Sequence, residues 1–158
     1  MKPTYYRCVW STQVKILTFV TLGIIFLCFI PVIIDVSGSI VVQAILISVI
    51  ALLSSCVVYS PKSIIVTDDE LIIQCIGKTK RIARADIIYV GEFSFKGSIR
   101  TWGSGGFFGY LMWFYNRSVG KYFAYATHEK GLVLIETAQR KYVVSCEGHD
   151  LLIAQLKG

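Results

Sequence analysis

ILTFVTLGIIFLCFIPVII (residues 16–34) and IVVQAILISVIALLSSCVVY (residues 40–59) decide the fold. Neither run contains a charged side chain. At 1.5 Å per residue, a helix of this length rises about 28–30 Å, close to the roughly 30 Å hydrocarbon core of a bilayer. A buried core helix is usually shorter and carries a polar stripe, which both runs lack. A cleaved signal peptide has a shorter apolar region and a small-residue cleavage site before polar sequence, whereas here a second apolar run follows almost at once. Asp-Val-Ser-Gly-Ser (35–39) between them is turn chemistry, and so short a connection makes the two helices antiparallel. Pro31 falls in the last turn of the first helix, where a lost backbone bond costs least. The first expectation is therefore a two-helix transmembrane hairpin, 16–34 and 40–59. Ala44, Ser48, Ala51 and Ser55 put small side chains along the second helix, a spacing that lets helices approach closely.

Flanking charge orients the hairpin. Lys2, Arg7 and Lys15 precede the first run, and Lys62, Lys78, Lys80 and Arg81 follow the second, while the turn has no Lys or Arg. The positive-inside rule then places both termini in the cytoplasm and Asp35 outside. Trp10 and Tyr59 occupy positions expected of interfacial aromatics. Gln43 is the only strongly polar side chain within the runs and lies near an end, which argues against a transport path through two helices.

The rest of the chain is different in kind. Residues 60–158 hold 13 Lys+Arg and 9 Asp+Glu, a net charge of 13 − 9 = +4, and have the composition of an ordinary soluble domain. That basic balance suits anionic lipid headgroups or nucleic acid, and beside membrane helices the lipid is the nearer partner. No nucleic-acid role is expected. The five cysteines (Cys8, Cys28, Cys56, Cys75, Cys146) are odd in number and lack CxxC spacing, so they indicate neither a disulfide framework nor a zinc site.

After Pro61 the periodicity shortens to that of strands. Residues 63–67 and 71–76 flank the acidic turn Asp68-Asp69-Glu70, and Gly77-Lys78 leads into 79–83. A further strand covers 86–95, entered through a short helical turn. Residues 121–127, 132–137 and 141–146 complete about seven strands, and Asp150 is placed to cap a final helix, 151–157. The expected domain, 60–158, is a bent sheet or half-open barrel.

Two segments carry a family resemblance. IVTDDELII (65–73) followed by RIARADIIYV (81–90) is a strand, an acidic turn and a strand ahead of a basic strand and a "D-I" step. GSGGFFGYLMWF (103–114) followed by GKYFAYAT (120–127) is a glycine-aromatic stretch. Together they resemble the bacterial pleckstrin-homology-like domains, which often sit behind one or two membrane helices. The resemblance implies a seven-stranded bent sheet closed by a C-terminal helix, in a bacterial inner-membrane protein. It implies no particular ligand, because the fold hosts lipid, peptide and protein binding alike.

The glycine-aromatic stretch offers no phosphate loop. Tyr110 follows Gly109 where a Walker lysine would stand, and Phe108 occupies the last glycine position of a dinucleotide fingerprint. Phe107, Phe108, Tyr110, Trp113 and Tyr115 are too few to cross a bilayer and too apolar for an ordinary exposed loop. They belong to a core beneath the sheet, to the membrane interface, or to a protein-binding surface. The core reading is favoured for Phe107 and Phe108, and the interface for Trp113 and Tyr115. Arg100, Arg117 and Lys121 border the stretch and could meet lipid phosphates. Lys78, Lys80, Arg81 and Arg84 form a second basic set around a hairpin; it is a solvated strand face or an anionic contact. His128 and His149, the only histidines, fall in or beside turns, and no Ser or Cys sits in a nucleophile context. No catalytic group, cofactor, metal or small-molecule substrate is expected. The sequence thus reads as a membrane-anchored, non-enzymatic adaptor that binds protein, lipid or a second copy of itself. The alternative is an accessory subunit whose helices pack against a transporter or membrane enzyme.

The charge asymmetry generates a direct test. In a cysteine-free variant, a single cysteine replacing Ser37 reacts with an impermeant thiol reagent applied outside the cell, and one replacing Ser63 does not. The reverse pattern would overturn the cytoplasmic assignment.

Overall fold

Residues 3–34 and 40–157 are described by a computed structural model of the chain. The expected turn at 35–39 lies outside them. The first helix, α1, runs Thr12–Ile34 and the second, α2, Ile40–Tyr59. Helix α1 starts one turn before its apolar run because Ser11 caps it: the Ser11 hydroxyl accepts the Val14 N–H at 3.2 Å, and its carbonyl accepts that of Lys15 at 3.0 Å. Helix α2 stops before Ser60-Pro61, where the proline disfavours helical backbone at the residue preceding it. Most side chains on both helices are exposed, including Phe26 (68%) and Ile40 (80%). Ala44, Ser48 and Ala51 are exposed as well, so the small-residue stripe does not bring the helices together.

Ten strands occur among the described residues, in two open sheets. The first sheet is β1 (Thr4–Arg7), β2 (Pro61–Val66), β3 (Glu70–Cys75) and β4 (Thr79–Ala83), all antiparallel in that order. A 3₁₀ turn at Arg84–Asp86 leads to the second sheet, whose strands are β5 (Ile87–Phe93), β6 (Ser98–Gly105), β7 (Tyr110–Asn116), β8 (Gly120–Ala126), β9 (Leu132–Thr137) and β10 (Lys141–Ser145). Their spatial order is β5-β9-β10-β8-β7-β6, with β10 parallel to β8. Helix α3 (His149–Lys157) follows. It begins before the expected cap, so Asp150 lies in its first turn, where a carboxylate favours the positive end of the helix dipole.

Three strands exceed the expected seven. One is β1, in the N-terminal segment; the others, β6 and β7, form from the glycine-aromatic stretch. The shorter count follows from reading alternation alone. Four residues are too few to show a period, and glycine interrupts the pattern of β6.

The core lies between the sheets. Ile64, Val66, Leu71, Ile73 and Ile82 alternate inward from the first sheet and meet Val133, Ile135 and Val144 of the second. Tyr6 and Cys8 join them from the N-terminal segment, and Leu152, Ile153 and Leu156 close the end from α3. Strand β9 is buried on both faces, which explains its unbroken run LVLI. Leu132 and Leu134 point away from the first core into a second cluster with Tyr122, Val143, Phe114 and Phe93. Helix α3 is further bound through Gln155: its side chain accepts from the Tyr6 hydroxyl at 2.8 Å and donates to Thr4 at 3.1 Å, while its carbonyl accepts from Arg84 at 2.8 Å.

Strand β1 is therefore part of the cooperative unit. Tyr6→Ala in the full chain should cost about 3 kcal/mol, in the range for a buried aromatic, and lower the melting temperature in detergent. A fragment beginning at residue 60 should remain strand-rich by circular dichroism yet melt below the same domain in the full chain. Unchanged melting in both would place β1 outside the unit.

Candidate functional site

The glycine-aromatic stretch folds as a hairpin whose tip enters the space between the two helices. Strands β6 and β7 pair antiparallel, and Gly106 N–H donates to the Gly109 carbonyl at 3.0 Å to close the tip. Gly106 (φ +135°) and Gly109 (φ +131°) adopt backbone that other residues rarely reach. Space demands glycine too: a Cβ on Gly106 would stand 2.6 Å from Leu17 Cδ2 of α1, and one on Gly109 2.6 Å from the Ala126 carbonyl oxygen.

Both backbone groups of Phe108 are then used to join the parts. Its N–H donates to the Thr18 hydroxyl of α1 at 3.0 Å, and its carbonyl accepts from the Ser60 hydroxyl, just beyond α2, at 2.9 Å. Thr18 and Ser60 are almost wholly buried. Phe107 is buried with Cys56, Leu111 and Met112, with Leu53 packed alongside, and the Trp10 ring meets Phe108 edge-on at 5.1 Å. Two other joints flank this one. On the α1 side the Thr127 hydroxyl donates to the Val9 carbonyl at 3.0 Å, Ser11 N–H donates to the Thr127 carbonyl at 2.9 Å, and Ser145 accepts the Thr127 N–H at 2.8 Å. On the α2 side Gly77 N–H donates to the Val58 carbonyl at 3.1 Å.

These joints rest on Thr18, Ser60, Ser11, Thr127 and Ser145, none of which sequence reasoning singled out. Only Thr18, a hydroxyl inside an apolar run, carried a signal: a polar group there needs a partner.

The candidate residues do not gather into one site. Phe107 and Phe108 (half-buried) lie at the tip, and Tyr110 packs against Phe95 at 5.0 Å in the second cluster. Trp113 meets Phe123 edge-on at 5.1 Å, and its ring is covered by Lys121 Nζ at 4.7 Å and Arg140 at 5.7 Å. Lys121, one of the three cations that could meet lipid phosphate, thus also lies over an aromatic face. Tyr115 is exposed, and Arg117 lies in the β7–β8 turn, about 20 Å along the strand from the tip at 3.3 Å per residue. Arg100 lies on β6 opposite Phe114, and its guanidinium reaches along the strand toward Gly105 beside the tip.

In the second basic set every cation has a partner within the chain. Lys78 Nζ lies 5.4 Å from the Tyr59 ring centre, Lys80 Nζ 5.5 Å from that of Tyr142, Arg81 pairs with Glu70 at 3.4 Å, and Arg84 donates to Gln155.

Burial pushes the thiols of Cys75 and Cys146 up to about 12, and that of Cys8 is raised further, first by burial and then by the neighbouring thiols Cys146 and Cys75. These groups stay protonated at neutral pH and are poor nucleophiles. His128 Nδ1 accepts the Lys130 N–H at 3.0 Å. Ligand atoms of Glu92, His149 and Asp150 lie within 4.8 Å of one another, with both carboxylates exposed.

The tip's seat has a measurable strength. Thr18→Val removes the acceptor of Phe108 N–H and leaves that donor in an apolar setting, which costs about 1–3 kcal/mol. Full-length protein in detergent should melt lower and exchange the Phe108 amide faster. Unchanged exchange would show that the tip is not held by this bond.

A family model described as a bacterial PH domain matches residues 62–158, from β2 through α3. No curated protein and no solved structure matches the chain. The match covers more than half of the chain and all of the second sheet; with the two open sheets and closing C-terminal helix already described, it means that this protein belongs to the bacterial PH domain family.

Proposed function

We propose that the chain is a membrane-anchored, non-enzymatic binding module. Its two helices span a bacterial inner membrane, with both termini and the β domain on the cytoplasmic side. The observation that carries this reading is the seat of the β6–β7 tip on Thr18 of α1 and on Ser60, just beyond α2. A domain held at three joints keeps a defined height and orientation above the bilayer. Its surfaces are therefore presented to partners at the membrane without the ordering cost that a flexible tether imposes.

Several features support a binding role over a catalytic one. The buried hydroxyls of Thr18, Ser60, Ser104 and Thr127 donate to, or accept from, structural backbone groups. The thiols of Cys8, Cys75 and Cys146 are held protonated by burial. The surface best suited to a protein partner is edge strand β5, where Ile88 is 71% and Tyr89 51% exposed. An open edge with apolar side chains invites strand pairing or apolar contact.

A second reading, that of an accessory subunit acting through its helices, is favoured by one observation: Ala44, Ser48 and Ala51 remain exposed on α2, leaving room for another helix.

The two readings separate in one experiment. Full-length protein is purified in mild detergent and its co-purifying partners are quantified by mass spectrometry. For the adaptor, Ile88→Asp with Tyr89→Ala strips the partner and Ala44→Leu with Ser48→Leu retains it. The opposite pattern would establish the accessory subunit and overturn the adaptor.

A further inference from the structure

Between α2 and β6 lies a cavity of about 460 Å³ that the joints described above leave open. It falls within the size range of small-molecule and lipid sites. One wall is apolar, made by Leu52, Leu53 and Phe107; the other is the glycine-containing strand β6, with Arg100, Thr101 and Trp102. Resting on the reading that α2 spans the membrane, we propose that this cleft binds one anionic phospholipid of the cytoplasmic leaflet, with the phosphate on Arg100 and an acyl chain along Leu52 and Leu53.

Depth is the first argument. Leu52 to Cys56 lie three to seven residues before the end of α2 at Tyr59, about 5–10 Å along the helix. That interval is where glycerol and the first acyl carbons reside when the helix end marks the interface. The cleft is also continuous with the exposed apolar surface of α2, which lipid covers in any case.

Charge is the second. Arg100 is the only charged residue lining the cavity, and among the described residues it has no carboxylate within ion-pair distance. Its direction is set by the backbone. A bulge between Arg100 and Trp102, and Gly103 at φ +107°, curl β6 so that Arg100 Nη1 lies 3.1 Å from where a Cβ on Gly105 would stand. The guanidinium thus lies back along the strand toward the tip. Its planar fork of donors fits a phosphodiester.

The hydroxyls add a chemical preference. Ser55 donates to the Leu52 carbonyl at 2.6 Å, and Thr101 donates to the Trp113 carbonyl at 3.0 Å. With their protons committed, both oxygens offer only lone pairs to the cleft, which suits a headgroup that itself carries hydroxyls. Trp102, 64% exposed at the rim, is the aromatic type favoured at headgroup depth.

The test uses the full chain released from mild detergent into native mass spectrometry with equal amounts of phosphatidylglycerol and phosphatidylcholine. The expected result is a one-to-one adduct that prefers phosphatidylglycerol by roughly tenfold, the effect of one charge-assisted contact. Arg100→Gln should abolish the preference, and Lys96→Gln, the same charge change on an exposed turn, should keep it. Ser55→Leu narrows the cleft without altering charge and should lower the adduct of either lipid. Circular dichroism of each variant confirms the fold, and resistance of the reconstituted protein to carbonate extraction scores the anchor separately. A preference that survives Arg100→Gln in folded, membrane-integrated protein would overturn the lipid site and leave the anchor intact. So would a lipid-free dimer that disappears with Ser55→Leu, because a second copy would then fill the cleft. Extraction by carbonate would overturn the anchor itself.

Discussion

The insertion of a four-residue β-hairpin tip between two apolar helices is the constraint on which the rest of this molecule depends. Backbone groups at a tight tip are the hardest to satisfy away from water. Here the Phe108 N–H and carbonyl are met by Thr18 and Ser60, one from each helical side. Gly106 lets the tip come close to Leu17 of α1, and Gly109 lets it come close to the Ala126 carbonyl of β8. Removing either hydroxyl leaves a buried backbone group unpaired, and the penalty for that exceeds the net worth of the bond.

The aromatic load of the segment follows from this arrangement. Large rings meeting edge to face run between the helices and the sheet. Trp10 on Phe108, Phe107 on Phe108 and Trp113 on Phe123 continue from the N-terminal segment to the middle of the sheet. Such pairs contribute modestly beyond the area that they bury, and mainly fix orientation. Lys121 and Arg140 then lie over the Trp113 ring, so one cation of the basic fringe read from the sequence has a partner within the sheet. The same holds for Lys78, Lys80, Arg81 and Arg84, each of which meets a ring, a carboxylate or a helix carbonyl. Arg100 stands apart because, among the described residues, no carboxylate lies within ion-pair distance of it.

The two sheets share the work unequally. The first presents one buried face, as its alternating pattern requires. The second buries both faces at β9 and β10, one against the first sheet and one beneath the aromatic cluster of Phe93, Phe114 and Tyr122. That doubly buried centre carries the long-range connection of the fold: β10 lies between β8 and β9, parallel to the former. The buried Thr127–Ser145 pair ties the ends of β8 and β10 to the segment that enters α1. The family's sheet and the two apolar helices are thus directly joined.

How much of this was legible in the chain itself depends on whether a feature is local. Two uncharged runs long enough to cross a bilayer, the turn at Asp68–Glu70, the alternation of IIV and LII, and the LVLI run are each written in adjacent residues. Hydrophobic length and period alone therefore determine the helices, seven of the strands and the closing helix. Strand β1 is too short to show a period and exists because β2 offers it an open edge. Strands β6 and β7 form from glycine and aromatic residues whose conformation is set by what they pack against. The candidate residues from Phe107 to Lys121 are neighbours in sequence, yet an extended strand carries its two ends about 20 Å apart, so they cannot share one site. The seat and the cleft were invisible for the same reason. Thr18 and Ser60 become partners of Phe108 only when residues 90 and 48 positions apart in the chain are brought together, and no pattern of neighbouring side chains encodes that meeting.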